Sequence, residues 1–323
     1  MPYPDFDCVS SSNNRLIAEE LSYDITSLQN EFQTLIDSLT NEQRGVFEDV
    51  MEAIGDNKGG QIVLTVASSG IASLLLTGGR TTHSRFGIPL NLTENSICSI
   101  NRDSDASKLL KQTSLIIWNE VSMVHKHAFE ALDHTLRDVL SFGNVSNSHI
   151  TFGGKVIVFG GDFRQILPVV PNGSRQETVN VSLSSSYIWT NCKVLKLTKK
   201  MRLTVEKDPS EIQQTRLFVN WLLDTGEGNV GGSNDGDAVI RIPEDILITH
   251  SFDPIGSLIE YVYPSFLDNL NDPKYFEERS ILTLKHEVVQ EINDSLLSLF
   301  PGEEKEYLSS DSVCQTEFIS QSV

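Results

Sequence analysis

The chain has 323 residues, enough for two domains or for one large α/β domain with appendages. Hydrophobic content of 39% and charged content of 21% exclude wholesale disorder, and a net charge of −19 argues against a broad basic face for gripping nucleic acid. Cys8, Cys98, Cys192 and Cys314 are scattered without a CxxC pair, which excludes a disulfide framework and a zinc cluster.

The amino terminus, "MPYPDFDCVS", has no basic patch followed by an apolar stretch, so no secretory signal is expected. No apolar run approaches the roughly 20 residues that span a bilayer. The expectation is a soluble intracellular chain that does not meet a membrane.

Met1 to Asn14 read as a flexible lead. Arg15 to Leu39 carry Leu21, Ile25, Leu28, Phe32, Leu35 and Ile36 at helical spacing. A new helix is predicted at "LTNEQRGVFEDVMEAI", with Thr40 as its cap and Val46, Phe47, Val50 and Met51 turned inward. From Gln61 to Leu197 the apolar runs "IVLTV", "LIIW", "VIVFGG" and "VLKL" alternate with helical or loop segments. Continuous apolar runs predict strands of a parallel sheet buried on both faces by helices, an α/β fold.

After "WNEVSM", Phe129, Leu132, Leu136 and Leu140 form one helical stripe, which Phe142-Gly143 ends. Glu211 to Leu223 read as a further amphipathic helix, followed by the Gly/Asn/Asp connector "DTGEGNVGGSNDGD". Near Glu278 a second α/β piece is predicted, with "SILTL" as strand and "EVVQEINDSLLSLF" as helix.

Ligands of open α/β sheets bind beyond the carboxyl ends of the strands. Three strand ends here are polar: Thr65, Ser68, Ser69 and Gly70 on one, Asn119 and Glu120 on the next, Asp162, Arg164 and Gln165 on the third. Together they suggest a core that hydrolyses nucleotides or handles nucleic acid. His125, His127 and His134 near Asp133 raise the alternative of a metal hydrolase, but an HxH pair on a helix splits across its faces.

Five blocks in order, "LTNEQRGVFEDVM", "TVASSGIASLLLTGGRTTHSRFGIPL", "LIIWNEVSMVHKHAFEALDHTLRDVL", "FGGKVIVFGGDFRQILPVV" and "LKLTKKMRL", resemble the PIF-type ATP-dependent DNA helicases. The likeness is to their plant, Helitron-like form. "ERSILTLKHEVVQEIN" and "LFPGEEKEYLSSDS" resemble the start of that family's second RecA-like domain. The resemblance implies a lead and helix over 1–38, a first RecA-like domain over 39–203, a connecting region over 204–277 and a partial second domain over 278–323. It also implies 5′-to-3′ unwinding of single-stranded or forked DNA coupled to hydrolysis of ATP with Mg²⁺. Work in DNA repair, recombination or telomere maintenance, in the nucleus or a DNA-holding organelle, would follow.

Residue by residue, the resemblance gives Gln43 the reading of adenine, where an amide both donates and accepts. Asn119 falls on the Mg²⁺ position, Glu120 on the carboxylate that polarises water, and Asp162 beside the nucleotide. Gln165 is matched to sensing the γ-phosphate, and Arg202 to stabilising charge on the phosphates. Thr65, Ser68, Ser69, His83, Ser84 and Phe86 match stretches that contact single-stranded DNA, hydroxyls on phosphates and the ring on a base.

Two departures matter. The motif GxxxxGK[ST], whose backbone N–H groups cradle phosphates, occurs nowhere. Only "GDNKGGQ" joins the "FEDVMEAI" helix to "IVLTVASSGIA", where the family carries a strand, phosphate loop and helix. Asn119 also stands where the family has Asp, and an amide holds Mg²⁺ more weakly than a carboxylate. Further on, Leu284 and His286 replace the family's Pro and Asn, and the chain stops before the second domain is complete. The reading is a member of the helicase family with a disabled motor. The alternative is a non-catalytic relic or transposon-derived fragment that binds single-stranded DNA. A chain that does not fold stably is a third reading, since a lost central strand leaves sheet edges unpaired.

Overall fold

The computed structural model describes residues 14–55, 62–141, 145–199, 201, 209–231, 239–248, 252–283, 285–302 and 305. Two compact units divide at Ile240–Arg241.

The first unit opens with α1 (Arg15–Glu20), α2 (Ile25–Ser38) and α3 (Asn41–Ile54). The single helical pattern expected over Arg15 to Leu39 is broken at Leu21–Asp24. Asp24 supplies the reason: its Oδ1 accepts from Thr26 N at 2.9 Å and Ser27 N at 3.2 Å, which starts a new helix. The apolar stripe of α2 stays largely in solvent, with Ile25, Phe32 and Leu35 all exposed. At α3 the expected cap is present as a capping box: Thr40 Oγ1 accepts from Gln43 N, and Gln43 Oε1 accepts from Thr40 N. Met51, expected inward, is exposed.

Next come β1 (Ile62–Ala67), α4 (Gly70–Leu74), β2 (Arg80–Thr81), α5 (Thr82–Phe86), α6 (Asp105–Gln112), β3 (Thr113–Asn119), α7 (Lys126–Ser141) and β4 (Val156–Gly160). The unit continues with α8 (Arg175–Asn180) and α9 (Pro209–Gly226). All strand pairs are parallel, in the order β2-β1-β3-β4. Strands 62–67, 113–119 and 156–160 fall on three of the four predicted apolar runs. The fourth, Val194–Leu197, is not a strand, and its Val194, Leu195 and Leu197 are exposed.

Side chains alternate across a strand. Leu64, Val66, Ile116 and Trp118 point to one face, where Phe129, Leu132 and Leu136 of α7 join them in the core. Trp118 and Phe129 meet at a 40° tilt with 4.6 Å between ring centroids, and Phe159 meets Phe129 edge-on at 5.3 Å. The other face, with Val63, Thr65, Ile117 and Val158, is only partly covered, and Val63 is 44% exposed. α7 and its neighbours seal one side; on the other, Leu115 is 5% exposed and Ala67 is buried beside the more open Val63, so helices flank a sheet that is covered unevenly. Among the described residues β4 pairs on its β3 edge alone, and all five of its residues are half-exposed. The helix stop expected at Phe142-Gly143 lies outside the described residues.

The second unit contains α10 (Pro254–Val262), α11 (Pro273–Glu277) and α12 (His286–Ser298), gathered on Ile259, Phe266, Tyr275 and Ile292. Aromatic contacts hold it, Phe266 meeting Phe300 edge-on at 5.1 Å. The expected strand at "SILTL" is corrected: Ser280 to Thr283 are irregular, with no neighbouring strand to pair with among the described residues. Among the described residues no helix is long and apolar enough to cross a membrane.

Candidate functional site

Parallel pairing puts the carboxyl ends of the strands side by side. Ala67 is opposite Asn119, and Asn119 is opposite Gly160, so Ser68-Ser69, Asn119-Glu120 and Gly161-Asp162 share one edge of the sheet. The three polar strand ends of the sequence do converge.

Internal bonds define what the hydroxyls do. Ser68 N and Ser68 Oγ both donate to the Asn119 carbonyl, at 3.1 and 3.2 Å, and Ser68 Oγ accepts from Trp118 Nε1 at 3.0 Å. Ser69 Oγ accepts from Ala72 N at 3.2 Å and caps α4. Thr65 Oγ1 donates to the Thr77 carbonyl at 3.0 Å. Each of these groups holds the edge together.

Glycines let the strand ends close up. A Cβ on Gly160 would stand 3.2 Å from Asn119 Oδ1, and one on Gly161 only 3.0 Å from Val121 Cγ2. Glu120, between these segments, takes a left-handed conformation (φ 57°, ψ 47°), which costs a residue with a Cβ about 1 kcal/mol. That twist turns the chain from β3 into the short helix Val121–Met123 and leaves Glu120 half-buried at the edge. Asp162 Oδ1 accepts from Arg164 N at 3.0 Å and its carbonyl accepts from Gln165 N at 3.0 Å, forming a turn that leaves Gln165 exposed.

Gln43 sits at the start of α3, its Oε1 engaged by Thr40 N at 3.0 Å and Thr40 Oγ1 at 3.1 Å. Arg202 lies outside the described residues. On α5, Ser84 is exposed and His83 half-exposed. Phe86, matched to stacking on a base, is 1% exposed and packed 6.5 Å from Trp118 between centroids. Its ring belongs to the core and offers no face to a base, a correction that follows from its place on the inner side of α5.

The three histidines turn to different partners. His127 Nδ1 meets Glu130 Oε2 at 2.6 Å, Glu130 Oε1 accepts from Ser186 Oγ at 2.7 Å, and His134 Nδ1 lies 3.3 Å from the Ser96 carbonyl. Burial, then His127, holds His125 below the ordinary histidine range.

Sequence reasoning passed over two cations that flank "TTHS". Arg80 Nη2 pairs with Glu19 Oε2 at 3.0 Å, and Arg85 pairs with Glu20. Their signal was available in "GGRTTHSRF", but their acidic partners lie some sixty residues upstream.

The family model described as PIF1-like helicase matches residues 57–236, more than half of the chain. The ATP-dependent DNA helicase PIF4 of Trypanosoma brucei brucei is 33% identical over 119 residues, 36% of this chain and 14% of that protein. The ATP-dependent DNA helicase PIF1 of Candida albicans is 30% identical over 175 residues, 52% of this chain and 18% of that protein. A solved Pif1 helicase from Bacteroides, a double mutant, aligns with a TM-score of 0.49 at 20% identity, over 80% of this chain and 56% of that one. The chain spans less than a quarter of the length of these curated relatives.

Proposed function

Because the chain belongs to the PIF1-like helicase family, we propose that it keeps a single-stranded-DNA surface of that family without the nucleotide-driven motor. One observation carries this reading. The converging edge offers Asn119 where Mg²⁺ needs a carboxylate, and the only Gly-Lys pair of the chain sits at the opposite end of the sheet.

That pair is Gly154-Lys155, immediately before β4. Lys155 Nζ donates to the carbonyls of Lys111 at 3.0 Å and Thr113 at 2.5 Å, so its charge closes the end of α6. Burial holds its pKa below the ordinary lysine value. It is on the wrong edge to meet a triphosphate beside Glu120. Gln43 has its amide oxygen committed to Thr40. Among the described residues, Asn119, Lys155 and Gln43 do not supply the grip on Mg²⁺ and ATP that hydrolysis requires.

What is left suits the backbone of a single strand. Ser84 and His83 on α5 face outward beside Arg80, a set of donors for phosphate oxygens. The reading includes the finer resemblance to the plant, Helitron-like form, a transposon-derived origin, and residence in the nucleus or a DNA-holding organelle. The family resemblance gives Glu120 the polarising of water and Gln165 the coupling of phosphate to DNA, roles that this reading leaves unused.

The test is fluorescence anisotropy with a labelled oligothymidine, alongside phosphate release. The expected result is binding that weakens with salt, is indifferent to ATP and Mg²⁺, and has no accompanying hydrolysis, even in Asn119→Asp. DNA-stimulated ATP hydrolysis that Glu120→Gln abolishes would overturn the loss of the motor. Absence of binding at low salt would overturn the DNA surface.

A further inference from the structure

The two cations beside the proposed DNA surface are already occupied from within the chain. Glu19 and Glu20 are consecutive on α1, and each takes one of them: Glu19 takes Arg80 through Oε2 while its Oε1 holds Arg15 at 2.8 Å, and Glu20 takes Arg85. The pairs differ in setting. Arg80 and Glu19 are 46% and 31% exposed, whereas Arg85 and Glu20 are 4% and 8% exposed. Tyr23, just beyond α1, extends the cover: a Cβ on Gly78, two residues before β2, would overlap its hydroxyl.

Arg85 is poorly served by this arrangement. Its Nε and Nη1 are buried without a hydrogen-bond partner, as is Thr82 Oγ1 one turn earlier on α5. A guanidinium presents five N–H donors and is best satisfied by paired oxygens, carboxylate or phosphate. A buried ion pair with unsatisfied donors has little advantage over the same groups meeting water or another anion.

The hold on α1 is also light. The helix has six residues. Asn14 caps it, its Oδ1 accepting from Leu16 N at 3.0 Å, and Asn14 Nδ2 donates to the Asp105 carbonyl at 2.9 Å. Ile17 is its one fully buried apolar side chain, with Leu16 partly buried against the same core. Isolated helices this short do not persist in water, so release of α1 amounts to local unfolding.

We propose that α1 is a displaceable acidic cover, in which Glu19 and Glu20 occupy the positions that DNA phosphates would take on Arg80 and Arg85. The inference rests on reading β2–α5 as part of the single-strand surface. Phosphates and the two glutamates compete for one pair of cations, so DNA binds only as α1 lifts, and the cover weakens binding most at low salt.

The experiment measures anisotropy of labelled oligothymidine on the full chain from low to physiological salt. Glu19→Gln/Glu20→Gln is expected to tighten binding several-fold. It also steepens the log–log salt dependence, because only the unmodified chain must break two ion pairs that salt itself weakens before DNA can bind. A merely structural role for the glutamates would not steepen that slope. Should the double variant fold poorly, Glu19→Gln alone is expected to tighten binding and steepen the slope in the same direction by less. Hydrogen exchange on the unmodified chain is expected to speed up at α1 when oligonucleotide is added. Unchanged affinity and slope in the glutamate variants, with binding weakened by Arg80→Ala, would sink the cover and leave the DNA surface standing. Binding indifferent to both Arg80→Ala and Ser84→Ala would sink the surface itself.

Discussion

Trp118 Nε1 donates to Ser68 Oγ at 3.0 Å, and through that bond the indole at the centre of the core holds the polar end of the neighbouring strand. Ser68→Ala leaves the indole N–H, which is buried, unpaired. The expected loss is about 1–3 kcal/mol, read as a lowered midpoint in urea with an unchanged slope. A midpoint equal to that of the unmodified chain would mean that the bond does not form. Because this hydroxyl supports the fold, weaker DNA binding by Ser68→Ala is interpretable only beside its melting curve.

Asp133 is the most heavily used buried carboxylate among the described residues. It accepts from Phe152 N at 2.5 Å, from Tyr187 Oη at 2.6 Å and from Arg137 Nη2 at 2.9 Å, so it ties α7 to the left-handed turn at Phe152. Asp133→Ala strands the buried Phe152 N–H, while Tyr187, 44% exposed, can turn its hydroxyl to water. Arg137 is partly exposed and regains water, which keeps the expected loss near the lower end for a broken buried pair, about 3 kcal/mol. Differential scanning calorimetry checks it, and a shift of under a degree would contradict the network.

Alkaline pH provides a second probe of the core. Burial pushes the Cys98 thiol up to about 11, from an ordinary value of 9.0. The folded pKa is the raised one, so the unfolded chain ionises first. Stability from this group is intact below pH 9 and declines as pH rises toward 11. Between pH 8 and pH 10.5 the unmodified chain is expected to lose about 2 kcal/mol more than Cys98→Ala does, since one pKa unit is worth about 1.4 kcal/mol. Burial raises Cys192 and Tyr187 as well, so the comparison between variants, rather than the raw curve, is the measurement. Equal losses would place the Cys98 sulfur in contact with solvent.

Val158 lies on the partly covered face of β4, a strand of uncharged residues that pairs on one side among the described residues. Such an edge is a template for a second chain. Self-association rising with concentration is expected in sedimentation velocity, and Val158→Lys is expected to suppress it, at a cost in stability of under about 1 kcal/mol. A chain that stays monomeric at high concentration would show that the edge is covered.

Much of the sheet was legible in the sequence because three apolar runs end in polar residues, and a buried parallel strand has no other way to be written. The α7 stripe and the Thr40 cap were legible for the same kind of reason: local chemistry decides them. What escaped depends on partners. Val194–Leu197 and "SILTL" have strand composition, but a strand exists only beside another, and neither finds one among the described residues. The two residues of β2 carry no pattern and are defined by their register with Val66 and Ala67. Phe86 carries a ring that suits a base or a core equally, and only packing against Trp118 separates the two.

Thr40 and Gln43 close the first turn of α3 on each other. A nucleobase that hydrogen-bonds the Gln43 amide oxygen would therefore compete with Thr40 for it, and displacing Thr40 would fray the helix start. Recognition at this position would grow weaker as the helix is made sturdier, so a stabilised variant of α3 would be a poorer reader of bases than the chain it came from.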